Sequence, residues 1–228
     1  NFLLVMGGAK EAQDYVTRRG LDEKTLIEWH VGYIPDQWDL LTKYLLNKGC
    51  GIDDLVDAGL TVKREGGDYT SGKGFYDRFR GRIMFPIHGT HGEVVGFTGR
   101  VIKSSQEGVG KYLNTPQTAV FDKSSVIFGL HKAKKAIKEA GLAVLVEGQM
   151  DVITAHQHGM CNVVASSGTA LTAEQITLLK RYTSKIAMAF DSDEAGKKAA
   201  KRGIDLAITQ GLDVRIIQIP EDMGSDPD

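Results

Sequence analysis

The sequence predicts an α/β fold, with a mixed α+β N-terminal region followed by a parallel sheet. Three observations predict it. From about Val126 onward, apolar strand-like runs alternate with helical segments. Before that point, short helix-like stretches give way to two β-rich runs around a glycine turn. Four apolar runs in the last 90 residues each end in an acid or a small polar turn, at Glu147, at Ser166, at Asp191 and ahead of Asp226.

The elements follow in order. Tyr15, Val16, Leu26, Ile27 and Val31 have helix-like spacing, as do Leu40, Leu41, Tyr44, Leu45 and Leu46. Gly20, Gly32, Gly49 and Gly51 punctuate them. Residues 61–77 are rich in Gly, Lys and Asp and predict a turn or mobile hairpin. Residues 82–87 and 93–98 predict a β-hairpin closed through Gly89 and Gly92. Residues 103–110 are polar and predict a loop. Helices are then expected at 132–139, 150–157, 173–181 and 194–210. Strands alternating with such helices form βαβ units. Right-handed crossovers place the strand C-termini along one edge, where ligands of open α/β sheets bind. The boundary is expected near residue 124, giving regions 1–123 and 124–228.

Hydrophobic content of 42% and charged content of 25% are those of an ordinary globular chain. The net charge of −1 says little, but its distribution says more. Between residues 78 and 135, Arg78, Arg80, Arg82, Arg100, Lys103, Lys111, Lys123, Lys132, Lys134 and Lys135 face only Glu93, Glu107 and Asp122. A basic middle beside an acidic tail suggests a polyanion guided toward bound metal. Cys50 and Cys161 are too few and too far apart for a disulfide framework or a zinc ribbon. Reduced cysteines and no signal peptide point to the cytoplasm. The apolar opening Phe2–Met6 is too short to span a membrane. The chain begins at Asn1 without a methionine and stops just past a turn at Asp228, as expected of a core excised from a longer protein.

Glu147 closes the first apolar run of the second region, and Gly148 permits a tight turn and close approach of a phosphate. Asp151 falls in the first turn of the following helix, where a cap is the competing role. Asp191 closes a later run, and Asp193 opens the next helix. Carboxylates ~4 Å apart repel by ~4 kcal/mol at an effective dielectric of ~20. An all-oxygen cluster of this kind suits Mg²⁺ or Mn²⁺. Phe79, Phe85, Met84, Met150 and Met188 read as core. Thr172 and Gln175 read as a capping pair, and His156 and His158, two apart on a helix, do not make a metal site.

A glutamate after one strand and an Asp-x-Asp after a later one resembles the TOPRIM module of primases and topoisomerases. The wider sequence is similar to the bacterial DnaG-type primase catalytic core. The matching motifs are Tyr76-Asp-Arg-Phe-Arg-Gly-Arg-Ile-Met-Phe-Pro-Ile87, Gly96-Phe-Thr-Gly-Arg100, Lys111-Tyr-Leu-Asn-Thr-Pro-Gln117, Glu147-Gly-Gln-Met-Asp151, Asp191-Ser-Asp-Glu-Ala-Gly196 and Asp226-Pro-Asp228. The early Tyr15 to Leu21 stretch, Gly32-Tyr-Ile-Pro35 and Trp38-Asp39 fit the same family. Gln149 stands where an aromatic is frequent and Ser192 where glycine is frequent; neither change removes a carboxylate.

The resemblance implies an α+β N-terminal subdomain and a TOPRIM Rossmann-like parallel sheet. It implies an RNA polymerase of the primase type, making short primers on single-stranded DNA from ribonucleoside triphosphates at the replication fork. Glu147, Asp191 and Asp193 would be catalytic. The same three, with Asp151, Asp226 and Asp228, would hold Mg²⁺ or Mn²⁺. Arg78, Arg80, Arg82, Arg100, Lys111 and Asn114 would bind template and nucleotide. The family's zinc-binding module and its C-terminal module for the replicative helicase are not in this sequence. No membrane partner is implied, and a monomer is expected. The rival readings are another TOPRIM enzyme, a topoisomerase or nuclease, and a non-catalytic nucleic-acid-binding module.

Overall fold

The computed structural model describes residues 9–68, 73–102, 110–166, 171–189 and 194–217. The chain divides into two compact units, one of residues 1–87 and 94–122, the other of residues 88–93 and 123–228.

The first unit opens with helices α1 (Lys10–Arg18) and α2 (Glu23–Glu28). Ala12 and Val16, four residues apart, form the buried stripe of α1. Asp22 caps α2 by accepting from the Thr25 amide at 2.6 Å. Strand β1 (Gly32–Ile34) precedes α3 (Leu40–Asn47) and α4 (Ile52–Asp57). Gly59 ends α4 at φ +68, and a Cβ there would lie 2.6 Å from the Pro116 ring, so only glycine fits. Strands β2 (Thr61–Asp68) and β3 (Lys73–Asp77) pair antiparallel, so the 61–77 stretch is the hairpin its composition predicted. A second sheet has the order β1-β4-β5-β6, with β4 (Arg82–His88), β5 (Val94–Val101) and β6 (Tyr112–Asn114). Every residue of β4 is buried. Phe79 and Met84 pack with Ile34, Leu41, Leu60, Phe97 and Leu113. Phe79 and Phe85 are fully buried and Met84 nearly so, as expected of core residues.

The second unit carries the alternation read from the sequence. Helices α5 (Leu130–Ala140), α6 (Gln149–Gln157), α7 (Ala173–Leu179) and α8 (Glu194–Thr209) separate strands β7 (Ala143–Val146), β8 (Val163–Ala165), β9 (Lys185–Met188) and β10 (Asp213–Ile216). The strands lie in the order β10-β9-β7-β8, and all three neighbouring pairs are parallel. Leu130, Ala133 and Ile137 form one stripe of α5 and join a core with Leu145, Val164, Ile176, Ile186 and Met188. Thr172 and Gln175 form the expected capping box, each accepting the other's amide at 3.1 Å. The Gln175 amide also donates to the Val126 carbonyl at 2.8 Å.

The tip of the β4–β5 hairpin belongs to this second unit. The Gly89 amide donates to the Glu93 carbonyl at 2.9 Å, closing the turn. The His88 ring stacks on His131 of α5 at 4.2 Å. Lys134 donates to the Thr90 carbonyl at 2.9 Å. Burial, then the neighbouring His88, Lys132, His156 and Lys134, lower the His131 pKa to about 4. Among the described residues no helix is long and apolar enough to cross a membrane.

Candidate functional site

Strand β7 is buried throughout and lies between β8 and β9. Its apolar run stops at Val146, so Glu147 emerges at the C-terminal edge of the sheet, half-buried. Gly148 is extended there at φ −115 and ψ 164 and opens α6. Asp151 reaches back to accept the Gly148 amide at 2.8 Å, closing one side of a capping box. Asp151 is 9% exposed, so its carboxylate both caps the helix and sits close in sequence and space to the Glu147 turn. Leu145 of β7 pairs with Met188 of β9, and the Ala189 amide donates to the Leu145 carbonyl at 2.9 Å. The chain therefore leaves β9 beside the end of β7, two residues before Asp191.

Asp191, Asp193, Asp226 and Asp228 lie outside the described residues. Among the described residues, no three His, Cys, Asp or Glu side chains come together to hold a metal. Glu147 and Asp151 offer only oxygen donors, which is the chemistry a hard divalent ion takes. His156 and His158 diverge as expected, pairing with the Val163 and Thr154 carbonyls respectively at 2.9 Å.

The basic residues do not form the alternating row that a longer strand would have given. Strand β4 begins at Arg82, and residues 78–81 lie between strands. Arg82 is 6% exposed and donates to the carbonyls of Gly99 at 3.0 Å, Gly110 at 3.3 Å and Lys111 at 3.4 Å. A second nitrogen also reaches Gly110 at 3.3 Å. Burial, then nearby Arg80, lower its pKa. Its guanidinium therefore frames the backbone on either side of the 103–109 segment.

Arg100 sits on the other face of β5. It lies opposite Tyr112 on β6, donates to the Tyr112 hydroxyl at 2.9 Å and lies 5.0 Å from the Tyr15 ring. Asn114 is opposite Thr98 on that same face. Lys111 is exposed. The Arg78 Nε, Asn114 Oδ1 and Thr98 Oγ1 atoms are buried without a hydrogen-bond partner. Such atoms call for a polar partner, and two of them belong to residues singled out by the sequence.

One cluster escaped the residue-by-residue reading. Trp38 is 48% exposed and stacks on Tyr76 at 5.1 Å. Arg80 lies 4.7 Å from the Trp38 ring and 5.3 Å from Tyr76, and Arg64 lies 4.5 and 5.6 Å from the same rings. Arg80 also donates to the Asp77 carbonyl. An exposed tryptophan flanked by two guanidiniums suits a stacked base and its phosphates. Trp38 and Arg64 are distant in sequence, and only the pairing of β2 with β3 brings Arg64 near Tyr76. A lone tryptophan in a short loop was the signal available.

The second half of the chain has a Toprim-like fold, with residues 144–228 matching the model of that name. Residues 3–134 match the model for the DNA primase catalytic core, N-terminal domain. The chain belongs to the DNA primase catalytic core family. These families generally use divalent metal ions. The DNA primase of Clostridium acetobutylicum is 42% identical over 218 residues, covering 96% of this chain and 34% of that protein. The chain thus spans about a third of the length of such relatives. The RNA polymerase domain of Mycobacterium tuberculosis primase DnaG matches with a TM-score of 0.86 and 36% identity, over 98% of this chain and 72% of that one. A DnaG primase catalytic domain solved bound to ssDNA matches with a TM-score of 0.82 and 35% identity, over 98% and 68%.

Proposed function

We propose that this chain is the primer-synthesising core of a primase, a DNA-dependent RNA polymerase acting on single-stranded template. The observation that carries the reading is the coexistence of a Toprim-like sheet bearing Glu147 at its C-terminal edge with a sheet bearing Arg100 and Asn114 on one face. The relative solved with ssDNA supports single-stranded DNA as template. Ribonucleoside triphosphates are the second substrate, and a replicative helicase is the protein partner of the whole enzyme. The chain acts as a monomer at the replication fork in the cytoplasm, in two parts, 1–123 for template and nucleotide and 124–228 for metal.

Glu147, Asp191 and Asp193 would hold Mg²⁺ or Mn²⁺, with Asp151, Asp226 and Asp228 supporting them. The metal, when bound, supplies charge neutralisation at the attacking and leaving oxygens of nucleotidyl transfer. Glu147 would take the proton of the primer hydroxyl. Arg78, Arg100, Lys111 and Asn114 bind triphosphate and template phosphates, arginine by its planar fork. Trp38, Tyr76, Arg64 and Arg80 stack a template base. Arg82 holds the backbone on which Lys111 sits.

Template-dependent incorporation of labelled ribonucleotides, with Mg²⁺ or Mn²⁺, tests the reading. Incorporation that follows the template and stops on chelation supports it. A chain that binds oligonucleotides but incorporates nothing with either ion is a binding module instead. Cleavage of the oligonucleotide would make it a nuclease.

A further inference from the structure

We infer that Asp77 is a positioning residue that holds the Trp38–Arg80 platform in its stacking geometry; this rests on the template reading above. Asp77 is fully buried. Its partners are donors at the start of α3. One oxygen accepts the Leu41 amide at 2.7 Å, and the other accepts the Thr42 amide at 2.8 Å and the Thr42 hydroxyl at 2.6 Å. These are orphan donors of the first helical turn, where the dipole favours an anion. The residue at the N-cap position, Asp39, makes no cap bond and instead pairs with Lys43 at 2.9 Å. The cap of α3 is thus supplied from β3, by a residue distant in sequence.

Asp77 also reaches the platform through its backbone. Its amide donates to the Trp38 carbonyl at 2.9 Å, and its carbonyl accepts from Arg80. Tyr76, which stacks on Trp38, precedes it in the chain. One residue therefore ties the tryptophan, the helix that follows it, the tyrosine and one of the two arginines. The hydrogen-bond polarity requires a carboxylate. The Thr42 hydroxyl donates to Asp77, so Thr61, at 2.7 Å, must donate to Thr42. Every group facing either carboxylate oxygen is a donor, and an amide would turn an NH₂ toward N–H or O–H groups.

The test uses a Trp29→Phe background, in which Trp38 is the remaining tryptophan of the two in the sequence. Asp77→Asn, Thr42→Val, Trp38→Ala and Asp22→Ala are compared. The measurements are oligo-dT affinity at fixed salt, Trp38 emission and acrylamide quenching, and thermal unfolding. Asp22→Ala removes a cap of the same kind in the same unit without touching Trp38. Asp77→Asn is expected to weaken oligo-dT binding by about tenfold and to alter Trp38 emission and quenching while still folded. Asp22→Ala lowers the melting temperature and leaves both readouts unchanged. If Asp77→Asn does not fold, Thr42→Val is decisive, with a smaller change in the same direction expected. Wild-type affinity and an unchanged Trp38 signal in the folded Asp77 variant, or failing that in Thr42→Val, overturn the inference. Wild-type affinity in Trp38→Ala instead sinks the template role of the platform. An altered Trp38 signal in Asp77→Asn would then still report the positioning.

Discussion

Arg82→Met separates a phosphate contact from a frame. A solvated phosphate-binding arginine can be truncated at little cost to stability, typically within ~0.5 kcal/mol. Arg82 is instead buried, with one contact of 3.0 Å to Gly99 and a longer set to Gly110 and Lys111. The Lys111 carbonyl keeps the Val101 amide at 3.0 Å, and the Gly99 carbonyl, opposite Leu113 two residues along the same ladder, faces β6 in the same way, so the loss falls mainly on Gly110. A hydrogen bond to a charged donor contributes ~1.5–3 kcal/mol, and the 3.3 Å contacts sit at the weak end. The gross loss is then about 2–3 kcal/mol. Removing a desolvated guanidinium, whose burial already lowers its pKa, offsets part of this. The net expectation is a destabilisation of about 1–2 kcal/mol, or about 2–8 °C in melting temperature for a chain of this size. Circular dichroism melts and urea titration at pH 7 measure it, alongside oligo-dT binding over a salt series. A melting temperature equal to wild type, with the log–log salt slope flattened by ~0.7, would show that Arg82 contacts phosphate and that the framing argument is wrong.

Glu147→Gln should leave the melting temperature of the metal-free chain close to wild type and reduce ribonucleotide incorporation by ~10² or more, ~2.7 kcal/mol of transition-state stabilisation; near-normal incorporation removes Glu147 from the mechanism. His131 titrates near 4 in the folded chain against 6.5 unfolded, so the unfolded state binds the extra proton and stability falls as pH drops from about 6.5 to about 4. Half-exposure and solvent screening reduce the loss to about 1–2 kcal/mol. Urea midpoints at pH 7.5 and 5 should therefore differ more in wild type than in His131→Phe, and equal differences would contradict the assignment. Gly59→Ala combines a φ of +68 with a Cβ 2.6 Å from Pro116, and should cost about 2–4 kcal/mol in urea unfolding; a cost below ~1 kcal/mol would mean the turn relaxes freely.

The second unit was the more legible because its signals are local. Each expected helix there lies within two residues of an observed one, since α5 and α7 carry their stripe or cap in contiguous sequence. The place of Glu147 at the end of β7 was legible for the same reason, since it is the first charge after four buried residues. In the first unit β1 and β6 were not read as strands. Each has three residues, too few to show period-2 alternation, and each is defined by its partner. Arg78, Arg80 and Arg82 alternate in the sequence, but β3 ends at Asp77 and β4 starts at Arg82, so of the three only Arg82 lies on a strand. Nothing in the local sequence marks Asp77 as buried. Its burial depends on α3, and nothing near position 77 announces a helix terminus.

The hairpin tip at residues 88–93 makes the second unit discontinuous in sequence. A gene fragment beginning at residue 123 would encode every strand of the parallel sheet. It would still lack the ring that covers His131 and the carbonyl that Lys134 binds. Such a fragment would expose one side of α5 to water and leave a lysine to find a new partner. The Toprim-like unit is therefore not a portable cassette in this chain. Grafting it elsewhere, or expressing it alone, requires the six-residue loop of the other unit's strands to travel with it.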